Sequence, residues 1–211
     1  MVPPYTVVEG IALTWLERTV ALVILIAAAP VLVVLCLAVG VLSGRPPLVA
    51  IRRTGRGGAP LHMLKLRTMW PRERLAIVPR SLIEHIEERG VPRSKNGFDT
   101  RVSSRLAALC RRYSLDELPQ LWHVVKGEMS LVGPRPLTVH ELREHYGADA
   151  AAVLRVKPGM TGLWQTRGRS SLSYRQRKRF DLFLAKHNTV GLHAAILIRT
   201  VPCVLLGKNA W

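Results

Sequence analysis

The sequence predicts an α/β fold, mostly helical, in two parts: an apolar N-terminal helix broken at Pro30 over residues 1–45, and a compact domain over 46–211 with a small β-hairpin and amphipathic helices suited to an interface. Three observations predict it. Thr19–Gly44 contains no charged residue, all of the net positive charge lies beyond that run, and short alternating segments then give way to helical spacing. With 211 residues the chain has room for one core and an added element, not comfortably for two domains.

Val20–Leu42 is almost wholly Val, Leu, Ile and Ala, roughly 35 Å of helix, which matches the hydrocarbon thickness of a bilayer. A secretory signal peptide fits poorly, because the run is long, its basic leader is weak and no convincing small-x-small cleavage site follows. Pro30 removes a backbone donor and crowds the Ile26 carbonyl, so a kink is expected there. Arg45, Arg52, Arg53 and Arg56 put the C-terminal flank on the cytoplasmic side. Arg18 with Glu9 and Glu17 says little about the other flank, so a crossing helix and a re-entrant one both remain open.

Lys and Arg number 31 against 14 acidic residues, for a net charge of +17, yet 48% of residues are hydrophobic and the mean hydropathy is +0.15. That combination excludes a disordered basic tail and suits anionic lipid surfaces or phosphate-rich substrates. Cys36, Cys110 and Cys203 are odd in number and widely spaced, so neither a disulfide framework nor a zinc site is indicated.

Pro46-Pro47 closes the apolar run. Leu48–Arg53 and Leu61–Met69 then predict a hairpin around Thr54–Gly58, and Pro71–Glu88 predicts a helix. Gly90–Gly97 reads as a mobile loop, and Ser103–Arg112 as a helix with Leu106, Leu109 and Cys110 toward the core. In Ser114–Trp122, either Ser114 and Glu117 form a capping box or a helix begins at Pro119. Gly133–Pro136 is a rigid turn, His140–His145 a helix, Pro158–Gly168 a loop and Leu172–Lys186 a helix carrying Asp181. The apolar tail Leu192–Leu206 is suited to lying on a membrane surface.

Asp116 and Glu117 sit at or just before a helix start, close in sequence to Arg111 and Arg112. Cationic surroundings and the helix dipole predict a lowered Asp116 pKa. A carboxylate so placed is a candidate nucleophile for phosphorus, although a plain capping box with surface ion pairs uses the same residues. Arg135 is held between two prolines, where its guanidinium fork suits a phosphate. Arg74, Arg80, Arg175, Arg177, Lys178 and Arg179 read as solvated or facing lipid headgroups, and the glycines at 54–58 fit an ordinary hairpin as well as a phosphate cradle.

Four segments in order, Lys65–Met69, Arg111–Trp122, Lys126–Pro136 and Lys157–Gln165, closely resemble the bacterial sugar transferases, monotopic polyprenyl-phosphate phosphoglycosyl transferases that initiate surface-glycan assembly. The resemblance runs from the apolar helix to Asp181. It implies a ping-pong reaction in which Asp116 attacks a UDP-sugar, expels UMP and carries the phosphosugar until polyprenyl (undecaprenyl) phosphate accepts it. It further implies that Asp116 and Glu117 are catalytic and bind Mg²⁺, that Lys65, Arg111, Arg135 and Asp181 bind substrate phosphate, and that the helix is re-entrant with its break at Pro30. The catalytic domain would then sit on the cytoplasmic face of the bacterial inner membrane, in contact with inner-leaflet lipid, with a homodimer allowed for. Departures include Ala29 before Pro30 in place of Ser, Ala107 for Gly, His123 for Asn, a partial Asp99-Thr100-Arg101, and His193 for Asp.

Two other classes stay in view. A membrane-tethered nucleic-acid binder is motivated by the charge, but aromatic residues are only 6% and are not interleaved with the basic ones, so no nucleic-acid partner is expected. An inactive membrane protein of the same fold is opposed by the complete set of Asp116, Glu117, Lys65, Arg111 and Arg135. The sugar carried is not legible.

Overall fold

The computed structural model describes residues 11–70, 81–87, 104–168 and 172–207. Helix α1 (Ile11–Ser43) spans 33 residues, about 50 Å. Pro30 lies inside this helix, with helical backbone on both sides of it. No polar side chain near Pro30 offers the freed carbonyl an alternative, and Ala27–Ala29 favour helix on its N-terminal side. The helix is long and apolar enough to cross a membrane. Val23, Ile26, Val34, Leu37 and Val41 face outward, while Ala21, Leu35 and Val39 are buried against the rest of the protein.

Strands β1 (Leu48–Thr54) and β2 (Pro60–Leu66) form the expected antiparallel hairpin, in register from Leu48↔Leu66 to Thr54↔Pro60. Gly57 and Gly58 turn its tip at positive φ, where a side chain would be strained. Strand β3 (Ile83–Ile86) lies parallel to β1 on its other edge, so the sheet order is β2-β1-β3 and β2 is an edge strand. A helix was expected over Pro71–Glu88. Residues 71–80 lie outside the described residues, but Ile83–Ile86 is strand because β1 has a second edge to satisfy, with the Leu48 N–H donating to Leu82 as the pairing begins.

Helix α2 (Arg105–Arg112) is capped by Ser104, whose hydroxyl accepts the Ala107 N–H at 3.0 Å. Ala107 and Cys110 face inward and pack with Leu35, Val39, Leu66 and Trp70, whereas Leu109, expected in the core, is exposed. Residue 107 is therefore a packing position, filled here by a small, fully buried side chain. The Gly90–Gly97 and Asp99–Arg101 segments lie outside the described residues.

Leu115–Gln120 forms a 3-10 turn that runs into helix α3 (Leu121–Lys126). Ser114 adopts a left-handed backbone at φ 56 and makes no side-chain cap, so neither sequence alternative holds as drawn: regular helix begins at Leu121. Strand β4 (Ser130–Val132) pairs in parallel with β5 (Gly159–Thr161). Between them come α4 (Val139–Glu141), started by a Thr138–Glu141 capping box, a π-turn over Leu142–Tyr146 and α5 (Ala150–Val153). The loop expected over Pro158–Gly168 is instead β5 followed by α6 (Leu163–Arg167). Helix α7 (Tyr174–Lys186) begins with a Ser173–Gln176 capping box, and α8 (Val190–Leu205) completes the described fold.

The main core joins Ala21 of α1 with Leu61, Met63, Leu121, Val124, Met129, Leu131, Val132, Leu163, Leu184 and Ile196. Its β4–β5 edge depends on glycine. A Cβ at Gly159 would lie 2.0 Å from the Gly133 nitrogen, and one at Gly133 would lie 2.6 Å from the Lys157 carbonyl oxygen. Both obstacles are backbone, so they cannot swing aside. Gly159→Ala is therefore expected to lower stability by about 3 kcal/mol, read as a reduced Tm of the purified protein in detergent; an unchanged Tm would refute the close-packing account.

Candidate active site

Lys65 projects from β2 toward the 3-10 turn, which packs against that strand. Its Nζ donates to Glu117 Oε1 at 2.8 Å and stands 4.0 Å from Asp116 Oδ2. The Asp116 side chain is 13% exposed and the Lys65 side chain 22%, so the contact is far better sheltered than a surface ion pair. Ser114 supplies the geometry: its left-handed backbone turns the chain after α2, and its carbonyl accepts the Glu117 N–H at 3.1 Å.

The electrostatics correct the sequence expectation for Asp116. Burial raises its carboxyl above the ordinary carboxylate range, Lys65 and Arg111 act in the opposite direction, and the neighbouring Glu117 charge raises it further. Desolvation wins because the turn lies under α1 and against β2 rather than at an open helix end. Cys110, on the helix before the turn, is pushed up to about 11 by burial and by the Asp116 charge, which leaves its thiol inert.

Arg135 and Asp181 belong to a second group. Asp181, on α7, is 1% exposed, and its Oδ2 accepts the Tyr146 hydroxyl at 2.6 Å. Burial pushes Asp181 up to about 7, against the opposing effects of the Tyr146 hydrogen bond and the Arg135 and Arg177 charges. The Arg135 and Arg177 guanidinium groups lie 5.7 and 5.0 Å from the Trp164 ring centroid, and Arg177 also stands 5.3 Å from that of Tyr174. Arg177 is thus no solvated surface charge, and Lys178 is likewise held, pairing with Asp149 at 2.7 Å. Trp164 Nε1, Gln165 Oε1 and Asp181 Oδ1 are buried without a hydrogen-bond partner among the described residues. Two guanidinium groups over one indole offer a cationic, aromatic surface for an anionic or planar group.

The structure brings Lys65 to the acid pair; sequence reasoning grouped Arg111 and Arg135 with Asp116 and Glu117, Lys65 joining them only through the resemblance. It missed Tyr146 and Arg177, whose only signals were an aromatic and a basic residue amid many. It also missed the buried join between α1 and the domain. Glu17 accepts the Ser130 hydroxyl at 2.6 Å and meets His193 Nδ1 at 3.0 Å, His193 in turn meets Asn188, and Arg18 donates to the Val125 carbonyl at 2.7 Å.

Among the described residues no three His, Cys, Asp or Glu side chains gather as a metal cage. Two adjacent carboxylates do suit Mg²⁺, which takes one or two protein carboxylates and completes its shell with water and substrate phosphate.

The sequence that builds this site has known relatives. The chain belongs to the bacterial sugar transferase family, whose model matches residues 8–207. It is 38% identical over 207 residues to the UDP-galactose-lipid carrier transferase of Erwinia amylovora, covering 93% of this chain and 42% of that one. It is 34% identical over 206 residues to the exopolysaccharide production protein ExoY of Rhizobium meliloti, covering 97% of this chain and 90% of that one. It is also 38% identical over 194 residues to the UDP-glucose:undecaprenyl-phosphate glucose-1-phosphate transferase of Caulobacter vibrioides, covering 87% of this chain and 66% of that one. The chain therefore spans less than half the length of the Erwinia relative.

Asp181 makes stability depend on pH in a defined direction. A carboxyl raised from 3.8 to about 7 binds its proton more tightly in the folded state, so its stabilising contribution is complete below pH 3.8 and is lost as pH rises to about 7. Thermal melts between those limits should show a declining Tm that Asp181→Asn makes shallower. An equally steep decline in the variant would exclude Asp181 as its source.

Proposed function

We propose that the protein transfers a phosphosugar from a UDP-sugar to polyprenyl (undecaprenyl) phosphate, releasing UMP and forming a polyprenyl diphosphosugar. The observation that carries this reading is the sheltered contact of Lys65 with the Asp116–Glu117 pair. The names of the Caulobacter and Erwinia relatives, which specify a nucleotide sugar and a lipid carrier, agree with it.

An oxygen of Asp116 attacks the β-phosphorus of the donor, the bond to the bridging oxygen of the α-phosphate breaks, and UMP departs with the bond pair. The phosphosugar is then held as an acyl phosphate on Asp116. A phosphate oxygen of the lipid attacks the same phosphorus, and the Asp116 carboxylate is released unchanged. Burial makes that carboxylate a better nucleophile, since it is poorly hydrated, while Lys65 and Arg111 keep it ionisable. Lys65 and Glu117 face the reacting carboxylate, so Lys65 offsets charge as it grows on phosphate oxygens. Mg²⁺, held by Asp116 and Glu117, would supply further charge neutralisation when bound. Arg135, Arg177 and Trp164 form a cationic surface for the remainder of the donor.

In this reading the apolar helix is re-entrant and the domain lies on the cytoplasmic face of the inner membrane. Both ends of α1 touch the domain, through Glu17 and Arg18 at one end and through Leu42, packed in the cluster around Leu66, at the other. A helix tied to one globular body at both ends has no free end to emerge on the far side of a bilayer. The basic residues Arg45, Arg52, Arg53 and Arg56 then favour the cytoplasmic side.

Asp116→Asn is expected to abolish UMP release and the hydroxylamine-sensitive label left by donor labelled in its β-phosphate. Glu117→Gln and Arg135→Ala should slow turnover by about 10²-fold. A panel of UDP-sugars with undecaprenyl phosphate in detergent reads all three, and near-normal release by Asp116→Asn would refute the nucleophile. For topology, a Thr14→Cys reporter in intact cells should resist a membrane-impermeant maleimide until the cells are permeabilised. Labelling from outside would establish a crossing.

A further inference from the structure

His123 is 5% exposed and is hydrogen-bonded through both ring nitrogens. Strand β2 has β1 on one side only, so alternate N–H groups point away from the sheet and need another acceptor. For Leu64 that acceptor is His123 Nε2, at 3.1 Å. A nitrogen that accepts cannot also carry a proton, so the ring proton resides on Nδ1 and is donated to Glu128 Oε2 at 2.6 Å. Glu128 is itself fixed. Although burial opposes it, hydrogen bonds from Lys126 and His123 hold its carboxyl below the ordinary range. The His123 carbonyl accepts the N–H groups of Glu128 and Met129 at 2.9 and 3.1 Å, which closes the turn that brings Glu128 back to the ring.

We propose that His123 is a positioning residue for phosphosugar transfer: by accepting the Leu64 N–H it clamps the edge strand from which Lys65 reaches Asp116 and Glu117. The next residue after Leu64 is Lys65, and the helix carrying His123 directly follows the turn carrying the acid pair. The imidazole is thus a cross-brace between the two elements whose separation sets the 2.8 and 4.0 Å contacts of Lys65 Nζ. Losing the brace leaves the Leu64 N–H without the acceptor that His123 supplies, and small displacements of a charge beside a reacting phosphate slow transfer steeply. An asparagine amide has one acceptor and one donor and can replace the imidazole. A phenylalanine fills the volume and supplies neither.

The inference rests on the function proposed above, and the test separates the two. Full-length protein in detergent is assayed for UMP release with the best donor of the panel. His123→Phe should lose about tenfold in kcat with the donor KM nearly unchanged, whereas His123→Asn should stay within about threefold of the parent. Because His123 acts through Lys65, adding His123→Phe to Lys65→Met should cost little beyond Lys65→Met alone. Full activity in His123→Phe, a folded His123→Asn as slow as His123→Phe, or independent multiplication of the two effects would each overturn the proposal. Nitrogen NMR of histidine-labelled parent protein needs no variant to fold: it should show His123 protonated at Nδ1 and bare at Nε2, and the opposite tautomer would also overturn it. If the parent releases no UMP from any donor, the proposed function fails, while the tautomer still reports on the clamp.

Discussion

Lys65, Asp116 and Glu117 share a space that water reaches only in part, and each of the three makes the others tolerable there. Two neighbouring carboxylates repel, and burial raises the cost of ionising the inner one, so the lysine opposes a rise that would be steeper without it. The lysine alone would be a half-buried cation at a sheet edge. The fold around them serves that balance. The hairpin holds the cation from one side, the Ser114 reversal delivers the acids from the other, and α3 fixes the distance between them.

The same economy of space governs the second group of residues. Parallel pairing of β4 and β5 brings the Gly133–Pro136 turn so near the Lys157–Gly162 segment that only hydrogen fits between the backbones. That approach brings Arg135, in the turn after β4, to Trp164, on the helix that follows β5. Asp181 comes from α7, a distant part of the chain, and faces the same region with a carboxyl that burial keeps near neutrality.

Much of this was legible in the sequence where the signal was local. The β1–β2 hairpin, α2, α7 and the apolar α1 each follow from periodicity, turn residues or caps contained in their own segments. Arg111 and the acid pair were readable as neighbours because they lie within one short segment, whereas Lys65, some fifty positions earlier, joined them only through the resemblance. The strand at Ile83–Ile86 was not, since its reason for existing is the unpaired edge of β1, more than thirty positions earlier. Nor was the strand at Gly159–Thr161, whose glycines look like loop punctuation until Gly133 is placed beside them. The Asp116 expectation failed for a related reason: nearby arginines are visible in a sequence, but the layers that cover a side chain are not. Glu17 was counted as a weak topological charge, whereas its partners Ser130 and His193 lie more than a hundred residues away.

Helix α1 contributes Ala21 to one hydrophobic cluster and Leu35 and Val39 to another, and Glu17 to a buried polar chain. It is therefore not a detachable anchor. Cutting it away to obtain a water-soluble fragment would strip the lid from Leu66, Val124 and Met129 and strand Ser130 and His193 without their carboxylate, so the fragment would exchange one apolar surface for another. Purification strategy follows from that as directly as enzymology does: the helix and the domain have to be handled as one body.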